Sequence, residues 1–188
     1  MRDYFWGSSE EEKEPEITSV HSIASETKGH ASTDNNVVEF SHNRIYFYSG
    51  VTRPKILKLN KGIYNLNVSM LSKTVPLEYD PPPIKLHINS YGGSVFAGLS
   101  AVDYIKNSKI PVHTVIDGCA ASAATLMSCV AERRYMHKNA SMLVHQLSGV
   151  MWGKFQEMQD DMQNSEMLME KIKNIYKEHT KIPKKEMD

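Results

Sequence analysis

Long apolar runs, a surplus of one charge and cysteine are all scarce in this 188-residue chain, and each scarcity removes a class of protein. No stretch approaches the roughly 20 consecutive apolar residues that a membrane-spanning helix needs. The first thirty residues also lack the basic-then-apolar pattern of a secretory leader. A cytoplasmic protein without a membrane partner is expected. Lysine plus arginine equals aspartate plus glutamate, at 22 each, so a nucleic-acid partner is not expected either. The two cysteines, Cys119 and Cys129, lie in one small-residue segment. They read as buried thiols in a reducing compartment, not as a disulfide or a metal site. The length suits one well-cored domain and is short for two.

What is present is unevenly spread. Residues 1–40 hold nine acidic and three basic side chains. Within them, 1–36 carry Glu10-Glu11-Glu12, Glu14 and Glu16 with much Ser, Thr and Asn. That composition predicts a disordered acidic arm or removable pro-segment, too poor in apolar surface to offset its ordering entropy. Residues 37–188 are expected to form the domain. Strands are predicted at 37–40 and 44–48 around a His42-Asn43 turn. A helix is predicted over 54–71, interrupted near Gly62. A surface linker should follow at 78–83, where Pro81-Pro82-Pro83 removes backbone donors.

Beyond that linker, strands predicted at 84–88, 111–116, 135–137 and 141–145 alternate with helices at 95–106 and 122–131. This order argues an α/β fold, a parallel sheet with crossover helices. A long amphipathic helix, about 153–179, comes last. Its stripe of Phe155, Met158, Met162, Met169, Ile172 and Tyr176 suits packing on the domain or on another subunit.

The chemistry gathers around Gly118-Cys119-Ala120-Ala121-Ser122, where a strand gives way to a helix. A serine there is placed as a nucleophile at the positive end of a helix dipole. It can equally be a helix cap among small core residues. Gly92-Gly93, directly after a strand, can turn a backbone N–H outward. Ala123 offers a second amide just after the serine, and two such donors make an oxyanion hole. A general base would have to be a histidine. His21 and His30 fall in the arm, His42 in a turn, and His179 at a helix end where a cation is simply favourable. His87, His113 and His137 lie on strands and have structural readings. His145 closes an apolar strand before a glycine-containing loop, at the carboxyl end where ligand-facing side chains collect. Serine followed by histidine from the next strand suits proton removal from Oγ.

Four segments together resemble the ClpP family of serine peptidases. They are Ile88-Asn89-Ser90-Tyr91-Gly92-Gly93, Ala97-Gly98-Leu99-Ser100, Gly118-Cys119-Ala120-Ala121-Ser122, and Val144-His145-Gln146 with Gly149 and Gly153. The resemblance covers about residues 37–180. It implies a crotonase/ClpP-like spiral of parallel βαβ units with a long protruding handle helix. It also implies peptide-bond hydrolysis by the proteolytic subunit of an ATP-dependent Clp protease. Ser122 would be nucleophile, His145 general base, and the amides of Gly93 and Ala123 the oxyanion hole. Gly92, Gln146 and Gly149 would bind substrate backbone by strand addition. The implied partners are copies of the same chain in stacked heptameric rings joined by the handle helix, an ATP-driven unfoldase, and unfolded polypeptides. ATP would serve the unfoldase alone, so no cofactor is expected.

Three departures mark a divergent member. The family's triad aspartate matches a position a few residues past Asp188, so either the end is incomplete or another group orients His145. Positions often aromatic on the family's unfoldase-docking face are Lys85, His87 and Asn107, which makes that face atypical. Tyr91 replaces the proline usual before the glycine pair, and Ala123-Ala124 replaces a methionine-glycine pair, with little consequence for backbone donors. Two other readings stand beside the peptidase. One is a catalytically weak or inactive ring subunit with an assembly role. The other is a serine–lysine signal peptide peptidase-like or acyl-CoA enzyme of the crotonase-like fold, against which His145 speaks.

Overall fold

Alternating apolar and polar residues at 44–48 and 84–88 build a sheet with one face in the core. β1 (Val37–Ser41) and β2 (Arg44–Tyr48) pair antiparallel, as the His42-Asn43 turn predicts. β2 then pairs in parallel with β3 (Ile84–Ser90), β3 with β4 (Val112–Ala121), and β4 with β5 (Arg133–Met136). β6 (Ser141–Leu143) also runs parallel to β4 but takes its carboxyl end, facing Cys119, Ala120 and Ala121. The helices are α1 (Arg53–Thr74), α2 (Val95–Lys106), α3 (Ala123–Cys129) and α4 (Phe155–His179). This is the predicted parallel α/β order. The computed structural model describes residues 37–186, so the expectation for the arm at 1–36 lies outside the described residues.

Ile45 and Phe47 of β2 and Leu86 and Ile88 of β3 are fully buried. They share one core with Leu59 and Ile63 of α1 and Leu126 and Met127 of α3. Between them, on the other face, stand Tyr46, Tyr48 and His87. Prolines keep 79–83 free of regular structure, as expected.

Several boundaries differ from the sequence reading, each for a physical reason. α1 runs unbroken through Gly62. A Cβ there would lie 1.9 Å from Phe40 Cε1, so the glycine admits the aromatic ring and does not break the helix. β4 continues to Ala121, past the expected end at 116. Its register against β3 moves from Ile88↔Ile116 to Ser90↔Ala120, a bulge carried by the β4 side. Asn89 fills this bulge: its Oδ1 accepts the Cys119 N–H at 3.3 Å, and Gly118 leaves room for its amide. β5 starts at Arg133 and ends at Met136, where 135–137 was expected. β6 ends at Leu143, so His145 lies beyond the strand and not at its tip.

α4 is anchored at one end only. Ile172 and Tyr176 are its buried residues, while Phe155, Met162 and Met167 are exposed. Val150 and Trp152, just before it, are exposed as well. Among the described residues no helix is long and apolar enough to cross a membrane.

α2 reaches α3 through a glycine. A Cβ on Gly98 would lie 3.3 Å from both Cβ and O of Ala123, already tighter than usual contact. Gly98→Val should therefore push α2 off the start of α3. Urea unfolding is expected to show a loss of about 1–3 kcal/mol; an unchanged midpoint would contradict this packing.

Candidate active site

β4 and α3 meet in a turn that only a strained residue can make. Ser122 has φ 54 and ψ −127, a left-handed φ that costs an L-residue about 1–2 kcal/mol. The strain is held from both sides. Ser122 N–H donates to Leu143 O of β6 at 2.9 Å. Ser122 O accepts from Thr125 N–H at 2.9 Å and from Thr125 Oγ1 at 2.6 Å. The serine's own Oγ makes no capping hydrogen bond, so the helix-cap reading fails. α3 is also shorter than expected, spanning seven residues from Ala123 to Cys129.

The glycine pair is pressed against this turn. A Cβ on Gly92 would lie 2.6 Å from Ala121 O, 2.7 Å from Ser122 Cβ and 3.2 Å from Ala123 N. Gly92 also has φ 92, so glycine is required there twice over. Gly93, at φ 145, would put a Cβ 2.5 Å from Val51 O. The pair is pinned by Val51 N–H donating to Gly92 O at 2.7 Å and Ser94 N–H donating to Val51 O at 2.8 Å. These bonds leave the Gly93 N–H without an acceptor among the described residues. Ala123, as the first residue of α3, has no intrahelical acceptor for its N–H. Neither of these two amides is thus committed among the described residues.

His145 sits two residues beyond β6, exposed, in the irregular segment that leads to α4. Its Nδ1 is 2.6 Å from Gln146 O. A carbonyl only accepts, so Nδ1 carries a proton, and in the neutral ring Nε2 then keeps the lone pair. His145 and Ser122 are not hydrogen-bonded to each other. They are linked through Leu143, whose carbonyl holds the serine. The cavity beside His145 has a volume of about 340 Å³ and is lined also by Gln146, Tyr176, Ile182 and Glu186. Gly149 is exposed, with nothing within 4 Å of where a Cβ would stand.

Other sequence candidates have intramolecular roles. Asp117 accepts hydrogen bonds from Tyr48 OH at 2.7 Å and His87 Nδ1 at 3.0 Å, and His137 Nε2 lies 3.2 Å away. Tyr46 stacks on the His87 ring at 4.7 Å. Burial, then the bond to Asp117, pushes the Tyr48 hydroxyl up to about 12. Asn107 ends α2 and donates to Asp103 O at 2.8 Å. Burial pushes the Cys129 thiol up to about 11 and raises that of Cys119, so neither is poised as a nucleophile near neutral pH. Among the described residues no His, Cys, Asp and Glu cluster suits a metal ion.

Sequence reasoning passed over Thr125. Its spacing, three residues after a serine at a helix start, is a recognisable local hydrogen-bonding pattern. Tyr176 was seen only as one member of an apolar stripe. Its hydroxyl is 2.5 Å from Thr125 Oγ1 in the buried interior.

The need for glycine at 92 is testable against a neighbour. Gly92→Ala should destabilise the protein by about 1–3 kcal/mol in urea unfolding. Gly50→Ala, whose Cβ would meet nothing nearer than 3.8 Å, should stay within about 0.5 kcal/mol. Equal effects would contradict the close approach.

Two comparisons bear on this geometry. A family model described as Clp protease matches residues 43–188. The fold is similar to that of a solved ClpP1 mutant from Listeria monocytogenes, with a TM-score of 0.63 at 24% identity over 78% of this chain and 77% of that one. The spiral α/β architecture with a projecting last helix is therefore ClpP-like.

Proposed function

Since this chain belongs to the Clp protease family, we propose that it is a serine endopeptidase with Ser122 as nucleophile and His145 as general base. The observation that carries the reading is the strained Ser122, its Oγ uncommitted and its peptide groups clamped beside the Gly92-Gly93 turn. His145 Nε2 takes the Oγ proton as Oγ attacks the scissile carbonyl carbon. The oxyanion that forms is met by the N–H groups of Gly93 and Ala123. Collapse expels the amine, which leaves with the proton from the imidazolium. Water then attacks the acyl-enzyme, giving its proton to His145; the acyl–Oγ bond breaks, Oγ takes that proton back, and the carboxylic product leaves.

Gln146 O orients His145 and fixes its tautomer. Gly92, Gln146 and Gly149 bind the substrate backbone along the exposed segment after β6. Exposed Val150, Trp152, Phe155, Met162 and Met167 support assembly through the handle helix into stacked heptameric rings. Unfolded polypeptide is the substrate, delivered in the cytoplasm by an ATP-driven unfoldase. No cofactor enters the chemistry. The docking face is atypical in this reading, with Lys85, His87 and Asn107 where the family often has aromatics; His87 bonds Asp117 and Asn107 donates to Asp103 O. A second reading, a catalytically silent ring subunit, draws on one observation: His145 bonds to Gln146 and not to Ser122.

A fluorophosphonate probe separates the two. The wild type should label covalently and Ser122→Ala not at all. His145→Ala should slow labelling at least about a thousandfold. A wild type that does not label, while still assembling into rings by electron microscopy, would establish the silent subunit.

A further inference from the structure

Proton accounting assigns a direction to the buried chain that joins α4 to the serine. Thr125 Oγ1 has one proton, and it is committed to Ser122 O at 2.6 Å, since a carbonyl cannot donate. Tyr176 OH, 2.5 Å from that same Oγ1, must therefore be the donor of the second bond. The chain runs from Tyr176 O–H to Thr125 Oγ1 and from Thr125 O–H to Ser122 C=O. Both Thr125 and Tyr176 are buried, at 0% and 6% exposure, so their bond lies largely out of water. Burial pushes the Tyr176 hydroxyl up to about 12, which keeps it protonated at any working pH.

The carbonyl at the end of this chain is half of one rigid unit. Ser122 C=O and Ala123 N–H belong to the same planar peptide group, and a trans peptide points them in opposite directions. Holding the carbonyl from inside the protein aims the N–H outward, past Gly92, to the side of the serine. Accepting hydrogen bonds at the carbonyl also polarises the amide and strengthens its N–H as a donor. The backbone needs such holding because Ser122 sits at a strained φ of 54 that could otherwise relax. Thr125 N–H alone, at 2.9 Å, supplies only part of that restraint.

The geometry points to Tyr176 and Thr125 as a positioning relay that aims the Ala123 N–H at the oxyanion and ties its alignment to the seating of α4. This rests on the reading of Ser122 as nucleophile. Neither side chain touches substrate; both act through the peptide group. Tyr176 lies at the anchored end of a helix whose other end is exposed. A shift of α4 against α3 would break the Tyr176–Thr125 bond, and the oxyanion donor would lose its aim.

The test measures fluorophosphonate labelling of Ser122 as a function of probe concentration, in the full chain and its variants. Thr125→Val keeps the side-chain shape and removes the hydroxyl. It should lower the maximal labelling rate about tenfold, a fraction of what removal of a whole oxyanion donor costs. The half-saturating probe concentration should stay unchanged. Thr125→Ser, which keeps the hydroxyl, should recover most of the rate, and Tyr176→Phe should fall between the two. The amide resonance of Ala123 in protein made with isotope-labelled alanine supplies a readout independent of reactivity. It should move in Thr125→Val and Tyr176→Phe and return in Thr125→Ser. Equal rates in all four proteins, or Thr125→Ser as impaired as Thr125→Val, overturn the relay while leaving Ser122 as nucleophile. Wild type that does not label overturns the nucleophile and the relay together. An unmoved Ala123 resonance overturns the relay whatever the labelling shows.

Discussion

The structure depends on two backbones meeting where neither has room for a side chain. Gly92 lies so close to the β4–α3 turn that one added carbon would collide with Ala121 O and Ser122 Cβ. That contact joins the turn after β3 to the turn after β4, side by side at the carboxyl end of the sheet, where α/β folds place ligands. Val51 locks the same turn from the other side through Gly92 O and Ser94 N–H. Gly98 does the equivalent for α2, which it brings onto Ala123. Gly92, Gly93 and Gly98 thus set the distances among the chain segments around the turn, which leaves Ser122 strained.

A strained serine is useful only if the surrounding bonds prevent it from relaxing. β6 holds its N–H through Leu143, and α3 holds its C=O through Thr125. Its side chain alone is uncommitted. This division explains why the helix-cap reading fails: a capping serine turns its Oγ back onto the helix amides, and this one does not. The proposed acyl transfer rests on this turn and on membership of the Clp protease family. His145 carries a proton on the Gln146 side, which in the neutral ring is the tautomer that the proposed base requires.

Much of this was legible in the residues. The order of strands and helices followed from hydrophobic alternation and the proline linker, and the site motifs from glycines and a serine at strand ends. What escaped reading depended on contacts between distant residues. Nothing local shows that Gly62 lies under Phe40, so a packing glycine looked like a helix break. Nothing local shows that Asn89 fills a bulge at Gly118, so β4 looked shorter than it is. His145 was expected on a strand, yet β6 has β4 to pair with only as far as Ala121, and pairing stops at Leu143. Tyr176 looked apolar by its spacing, and only the fold reveals that its hydroxyl has a partner on α3.

The face of the sheet away from the core shows the same economy with polar groups. Asp117 gathers Tyr48, His87 and His137, so charge placed there is spent inside the molecule. The central claim concerns the turn at the carboxyl end of β4, where the Ser122 Oγ is left uncommitted. The most direct measurement is a crystal structure of the fluorophosphonate adduct. The account predicts phosphorus bonded to Ser122 Oγ, with the phosphoryl oxygen about 2.7–3.1 Å from both Gly93 N and Ala123 N. An adduct on another residue, or a phosphoryl oxygen turned away from those two amides, would contradict it.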